Sequence, residues 1–182
     1  MGTAPARQLP PTRPNLLLIT IDTLRADRLG AYGYTPATTP HLDRLAAEGI
    51  RFTDAVSHSP LTLPAHAGIL TGRYPARFGL RLNGIAPLAE SAVTVAERLR
   101  EAGYQTAAIV ASVILDESYG LSQGFARYDD EMPPIAGGSA ALSELQRPGR
   151  EVADLAIRWL DSRPAAPWFL WLHFFDPHLP YS

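Results

Sequence analysis

Two nearly continuous apolar runs, Leu16–Ile21 and Trp168–Phe175, constrain the fold of this 182-residue chain more than any other feature. Short runs of this kind are typical of strands that are buried on both faces of a parallel sheet. They are far shorter than the roughly 20 residues of a membrane-spanning helix, so no transmembrane segment is predicted. Thr106–Ala111 has the same character and follows a helical pattern. This strand-helix-strand succession predicts an α/β fold with right-handed parallel crossovers.

The rest of the chain supplies helices and loops around these strands. A length of 182 residues with 46% hydrophobic content suits one domain with a sizeable core. The patterns predict a helix that begins at Pro40, is capped by Thr39 and ends at Gly49, and two more helices at Ser91–Ala102 and Arg150–Arg163. They also predict a short strand at Ile50–Ala55 and a long surface loop at Asp129–Gly149. Residues 1–14 are expected to form a flexible leader.

Composition excludes several classes of function. All sixteen basic residues are Arg and the formal net charge is -2, so there is no basic field for nucleic acid. The absence of Cys excludes disulfides, zinc-thiolate sites and a cysteine nucleophile. No apolar core of a signal peptide follows the leader, which favours a cytoplasmic location.

The stretch Thr62-Leu63-Pro64-Ala65-His66 is the strongest local candidate for chemistry. Thr favours the N-cap, Pro is tolerated in the first turn, and Gly72 stands where a helix commonly ends, so Thr62 is predicted to cap a helix of about two turns. The free N–H groups of a helix start attract an oxyanion, so Thr62 is expected to face a phosphate or sulfate. Alternatively, Thr62 is only a cap and His66 only a surface residue.

Polar residues also follow the first and last predicted strands. Asp22 and Thr23 come directly after Leu16–Ile21, and Asp176 and His178 come after Trp168–Phe175. Ligands gather at the carboxyl edge of open α/β sheets, although Asp22 could instead cap the next segment. The three other histidines are interpreted as structural: His173 as a satisfied core residue, and His41 and His58 as surface or loop residues.

With these residues in place, the chain resembles the sulfatase-like branch of the alkaline phosphatase superfamily from Pro14 onward. The matching segments are Pro14–Ile19 leading to Asp22, Asp27–Gly33, Thr39–Asp43, Leu70–Pro75, Gly103–Thr106 and Asp176–Tyr181. The resemblance implies a three-layer α/β/α fold with a mainly parallel central sheet. It also implies that residues 15–182 are the N-terminal portion of a catalytic domain, whose further metal-binding pair would lie beyond Ser182.

The resemblance also assigns roles to single residues. It implies that Asp22 and Thr62 hold a divalent cation and that Thr62 occupies the nucleophile position. His66 takes the place of the family's Arg and either contacts the leaving oxygen or orients neighbouring groups, and His178 resembles the histidine that meets the ester oxygens. Possible supporting residues are Thr23, where a second Asp is common, Arg73, which would bond carbonyls near the nucleophile loop, and Asp176.

Two departures from sulfatases change the expected chemistry. Sulfatases convert Cys or Ser to formylglycine, and Thr62 is neither; the Gly-Lys-Trp-His signature is also missing after Gly103. Thr-x-Pro-x-His resembles the nucleophile motif of superfamily phosphodiesterases. The expectation is therefore a metal-dependent hydrolase of phosphate or sulfate esters, with phosphorus esters favoured. The metal would be calcium, magnesium, manganese or zinc, and the substrate a small-molecule, glycan-linked or lipid-linked anionic ester. A phosphotransferase and a non-catalytic binding module are the alternatives.

Overall fold

The computed structural model describes residues 13–132, 146–162 and 167–179. Within them, a four-stranded sheet is formed by β1 (Leu16–Ile21), β2 (Gln105–Ile109), β3 (Arg127–Asp129) and β4 (Trp168–Phe174). The strand order is β1-β4-β2-β3, and every neighbouring pair is parallel. The predicted α/β fold with a mainly parallel sheet is confirmed.

Helices α2 (Thr62–Thr71) and α3 (Val95–Glu101) pack on one face of this sheet, and α4 (Gly149–Asp161) packs on the other. Helix α1 (Pro40–Glu48) has no buried residue and lies against the turn at Gly30–Tyr32. Because side chains alternate along a strand, β4 contributes Phe169 and Trp171 to a core with α2 and α3, and Leu170 and Leu172 to a second core with α4. These two cores give the three layers that the resemblance implies.

β1 is only half-buried, and the prediction that both of its faces are covered is wrong. Leu16 and Leu18 pack against the core under α2 and α3, whereas Leu17 and Ile19 remain 51% and 47% exposed. The cause is position: among the described residues, β1 lies at the edge of the sheet, and the core under α4 contains residues of β2 and β4 but none of β1.

The predicted strand at Ile50–Ala55 is also wrong. The segment has no regular structure, and Ile50 and Phe52 are 86% and 70% exposed. It pairs with neither edge strand of the described sheet, β1 or β3, so its apolar residues stay exposed. β3, a strand of three residues, was not predicted.

The predicted helices are confirmed with shifted details. α3 begins at Val95 rather than Ser91, because Thr94 and Glu97 form a capping box: Glu97 N–H donates to Thr94 Oγ1 (3.2 Å) and Thr94 N–H to Glu97 Oε2 (2.7 Å). Thr39 precedes α1 but makes no capping bond, since its hydroxyl contacts Asp43 and the Gly30 N–H instead.

Parts of two predicted segments lie outside the described residues, namely 1–12 of the leader and 133–145 of the loop at Asp129–Gly149. In the part of the chain that the structure describes, no helix is long and apolar enough to cross a membrane.

Candidate active site

The site centres on a hydrogen bond between residues that are forty positions apart. Asp22 follows β1, where its N–H donates to Phe174 O (2.9 Å), and Thr23 then turns the chain with a left-handed φ of 54°. α2 begins opposite this turn. The Thr62 hydroxyl donates to Asp22 Oδ2 at 2.9 Å. The structure thus brings together Asp22 and Thr62, which the sequence analysis named as metal ligands and, for Thr62, as nucleophile.

Thr62 does not cap α2, and the prediction that it does is wrong. Thr62 is the first residue of the helix, Leu61 holds the N-cap position, and the helix has no side-chain cap at that position. The helix has ten residues, somewhat more than the two turns expected, and ends at Gly72 with the expected left-handed φ of 65°. The hydroxyl is therefore available to Asp22 rather than to the backbone.

The start of α2 offers fewer free N–H groups than expected. Leu63 N–H donates to Asn83 Oδ1 (3.0 Å), Ala65 N–H donates to Leu61 O (2.9 Å), and Pro64 has no N–H. Only the Thr62 N–H has no acceptor among the described residues. A bound oxyanion can thus receive one amide hydrogen bond from the first turn, together with the helix dipole.

Burial and hydrogen bonding shift the pKa of the Asp22 carboxyl in opposite directions. Burial raises the pKa of its carboxyl, but the approach of His173 and the hydrogen bond from Thr62 outweigh it. The net effect lowers the pKa of Asp22 below its ordinary value. Asp22 is therefore an anion at neutral pH, as a cation ligand or hydrogen-bond acceptor must be.

His66 is buried behind the nucleophile position rather than exposed. Only 6% of the residue is accessible, and its Nδ1–H donates to Thr62 O at 2.7 Å. Burial, assisted by the nearby His173, lowers the pKa of His66 to about 4, so the ring is neutral at pH 7. Because a carbonyl oxygen only accepts, Nδ1 carries the proton and Nε2 has a free lone pair.

A cavity of about 410 Å³ opens beside these groups. Its lining joins the end of β1, the approach to α2 and the first turns of α2, and it includes Asp22, Thr23, Thr62 and His66. Two serines of the approach segment, Ser57 and Ser59, add hydroxyls, while Ile21, Leu24, Leu61 and Ile69 add apolar surface. The lining combines one carboxylate and several hydroxyls with apolar surface, so an anionic ligand could approach Asp22 only with a cation between them.

The other predicted site residues lie further from this cavity. His178 is not among the lining residues; its ring stacks on Phe175 at 4.2 Å and its Nδ1 lies 2.6 Å from Leu179 O. Asp176 accepts a hydrogen bond from Gly149 N–H (2.9 Å) and so joins the end of β4 to the start of α4. Arg73 is exposed just after α2.

Two residues at the site were not assigned to it from the sequence. His173 is buried, as expected of a core histidine, but its Nε2 lies 3.5 Å from Asp22 Oδ2. The contact arises from the sheet register, which pairs His173 with Thr20, two residues before Asp22, and no local pattern in the sequence reveals that register. Asn83 is the second, and its Oδ1 accepts from the Leu63 N–H. No local pattern reveals that contact, because twenty residues separate the partners.

Asp22 and Thr62 fit part of a divalent metal site. Carboxylate and hydroxyl oxygens are ligands that hard cations accept, and Asp22 Oδ1 has no hydrogen-bond partner among the described residues. However, residues 13–132, 146–162 and 167–179 contain no group of three or more His, Cys, Asp or Glu side chains placed to hold a metal. The described residues therefore offer two oxygen-bearing side chains that suit a cation, and not a complete site.

Comparison with known proteins connects this geometry to one family. The model of the Sulfatase family matches residues 14–182. Mouse steryl-sulfatase is 43% identical over 109 residues, which cover 54% of this chain and 18% of that protein. The chain spans about a fifth of the length of the curated relatives that it matches.

Solved structures share the fold over nearly the whole chain. A phosphonate monoester hydrolase of Agrobacterium radiobacter superposes with a TM-score of 0.72 at 27% identity, covering 92% of this chain and 42% of that one. A protein in complex with its substrate D-glucosamine-2-N,6-O-disulfate gives a TM-score of 0.76 at 27% identity, covering 94% and 36%.

Proposed function

The chain belongs to the sulfatase family, and we propose that its Asp22–Thr62 site cleaves anionic esters of phosphate or sulfate with Thr62 as the nucleophile. The observation that carries the proposal is the 2.9 Å hydrogen bond from the Thr62 hydroxyl to Asp22 Oδ2 at the edge of the cavity. A hydroxyl that served only helix stability would bond the backbone of its own first turn, and this one does not.

The reaction takes two displacements. In the first, Thr62 Oγ1 bonds to the phosphorus or sulfur atom while the bond to the leaving-group oxygen breaks. The hydroxyl proton moves along the hydrogen bond to Asp22 Oδ2, and the leaving oxygen departs as an alcohol after taking a proton from solvent water. In the second, water attacks the Thr62 ester and loses a proton to solvent, while Thr62 Oγ1 leaves and takes back the proton held by Asp22. This step releases phosphate or sulfate, or a phosphomonoester when the substrate is a diester.

The groups around Thr62 support charge and orientation. The Thr62 N–H and the positive end of α2 stabilise a non-bridging oxygen as negative charge develops there. Neutral His66 donates to the Thr62 carbonyl and so fixes the first turn, while its free Nε2 remains a proton acceptor. A divalent cation held by Asp22 and Thr62 would lower the pKa of the hydroxyl and offset the charge of the ester.

Phosphorus esters are the favoured substrates. Thr62 is not a source of the formylglycine that lets sulfatases release sulfate by collapse to an aldehyde, so its ester must be cleaved by water. The similarity to a phosphonate monoester hydrolase supports phosphorus, while the names of the curated relatives support sulfate. The solved complex with a disulfated glucosamine supports a sugar-linked anionic ester as one substrate class.

The deciding experiment compares paired aryl esters of phosphate, phosphodiester and sulfate as substrates for the whole protein with added divalent cations. We expect the phosphorus esters to turn over, and Thr62→Ala to reduce kcat by more than about 10³-fold with a small change in thermal stability. Thr62→Ser is the matched control, because it retains a hydroxyl at the same atom.

Two outcomes would change this proposal. Turnover of the sulfate ester alone would contradict the preference for phosphorus. Equal activity of Thr62→Ala and the parent protein on every ester would remove Thr62 from the chemistry and favour a binding role for the cavity.

A further inference from the structure

We infer that His173 is a positioning residue that holds the Asp22 carboxylate in place for Thr62, an inference that rests on the proposed function. His173 lies in β4, opposite Thr20 of β1, and its side chain is fully buried. It does not line the cavity, so it does not touch substrate directly. Any influence on the reaction must pass through Asp22.

The backbone of the neighbouring strand fixes the tautomer of His173. Ala111 N–H, just beyond the end of β2, lies 3.4 Å from His173 Nδ1 and donates to it. A backbone N–H can only donate, so Nδ1 must be the unprotonated nitrogen. The proton of the neutral ring is then on Nε2, the nitrogen nearest Asp22.

Two donors therefore converge on one oxygen of Asp22. Oδ2 accepts from the Thr62 hydroxyl at 2.9 Å, and His173 Nε2 lies 3.5 Å from the same atom. Nε2 has no hydrogen-bond partner among the described residues, although it is fully buried. Because a buried donor without a partner is unfavourable, a small shift of the carboxylate toward the ring is favoured and would complete the bond.

This convergence divides the two carboxylate oxygens between different partners. With Oδ2 engaged by Thr62 and approached by His173, Oδ1 is left for whatever the cavity binds. If the His173 contact were lost, the carboxylate could rotate about its side-chain bond and carry the Thr62 hydroxyl with it. A displacement of about 1 Å at a reacting group can cost on the order of 10²-fold in rate.

Two variants separate the two nitrogens of His173. His173→Gln places an amide N–H near the position of Nε2 and keeps a donor for Asp22. His173→Asn places a carbonyl oxygen near Nδ1, which keeps the acceptor for Ala111 N–H but removes the donor. With the aryl ester on which the parent protein is most active, we expect His173→Asn to lower kcat by about 10- to 100-fold with little change in KM. His173→Gln should remain within about 10-fold of the parent.

The readouts distinguish positioning from packing. If His173 served only packing, His173→Gln and His173→Asn would both lose thermal stability while their folded fraction kept the kcat of the parent. That result would overturn the inference. Equal losses of kcat in the two variants would overturn it as well.

A measurement without substrate separates this inference from the proposed function. In ¹⁵N NMR of the imidazoles, His173 should show a proton on Nε2, and Asp22→Asn should shift that resonance. A proton on Nδ1 would overturn the inference even in an active enzyme. If Thr62→Ala proved as active as the parent protein, the proposed function would fail, whereas the Nε2–H tautomer and its response to Asp22→Asn would still test the contact.

Discussion

Helices α2 and α3 both have a threonine at their start, but the two hydroxyls bond to different parts of the molecule. Thr94 accepts from Glu97 N–H within its own first turn. Thr62 donates to Asp22, which lies at the end of another element, and the N–H of the next residue is satisfied instead by Asn83. The comparison shows that the hydroxyl of a threonine at a helix start can bond another element when a distant side chain accepts the N–H of the first turn.

His66 gives the start of α2 a response to acid that the start of α3, which contains no histidine, should not have. Burial, with His173 nearby, lowers the pKa of His66 from 6.5 to about 4. Between those values the unfolded chain binds more protons than the folded one, so stability falls as pH falls. From pH 7 to pH 4 this group should remove about 3 kcal/mol from the free energy of unfolding.

Urea unfolding at a series of pH values checks this. The control is His66→Gln, which cannot titrate and should flatten the part of the curve between pH 6.5 and pH 4. Asp22, whose pKa is lowered, acts in the same direction but only as pH falls below its ordinary value. An unchanged slope in His66→Gln would contradict the assignment to His66.

Asn83→Ala should damage both stability and activity, because it removes the distant cap of α2. The Leu63 N–H would lose its acceptor, which is expected to cost about 1–2 kcal/mol of unfolding free energy. Activity on the best ester should fall roughly 10-fold as the first turn loosens around Thr62. Asn83→Asp keeps an acceptor oxygen and should recover most of both quantities in denaturant titration and kinetics. Loss of stability with unchanged kcat would limit Asn83 to a structural role.

Thr94→Ala should show the smallest effect and complete the contrast. Loss of the capping box is expected to cost about 1 kcal/mol of unfolding free energy, measured by urea titration. Activity should stay within about twofold of the parent, since the partners of the Thr94 hydroxyl in the described part of the chain are Glu97 N–H and Gln123 O, neither of which lines the cavity. A large drop in kcat in this variant would mean that the two helix starts are not separate in function.

Local patterns made part of this structure predictable. The apolar runs predict β1 and β4, and Thr94 with Glu97 three residues later fits the capping-box pattern that starts α3. The edge position of β1, which exposes Leu17 and Ile19, depends on strand order, and that order is a property of the whole sheet.

In the candidate site, too, local patterns predicted some residues and could not predict others. Asp22 and Thr62 could be named from their places after a strand and at a helix start. The contacts of His173 with Asp22 and of Asn83 with Leu63 could not, since both join residues that only the folded chain brings together.

The contact between Gly149 and Asp176 has an evolutionary consequence. A Cβ at position 149 would lie 2.5 Å from Asp176 Oδ2, on the carboxylate that accepts the Gly149 N–H. Any larger residue there would push that carboxylate aside and weaken its hydrogen bond to the N–H of residue 149. Positions 149 and 176 should therefore covary among descendants of this sequence: a lineage that replaces the glycine is expected to shorten or replace the aspartate as well.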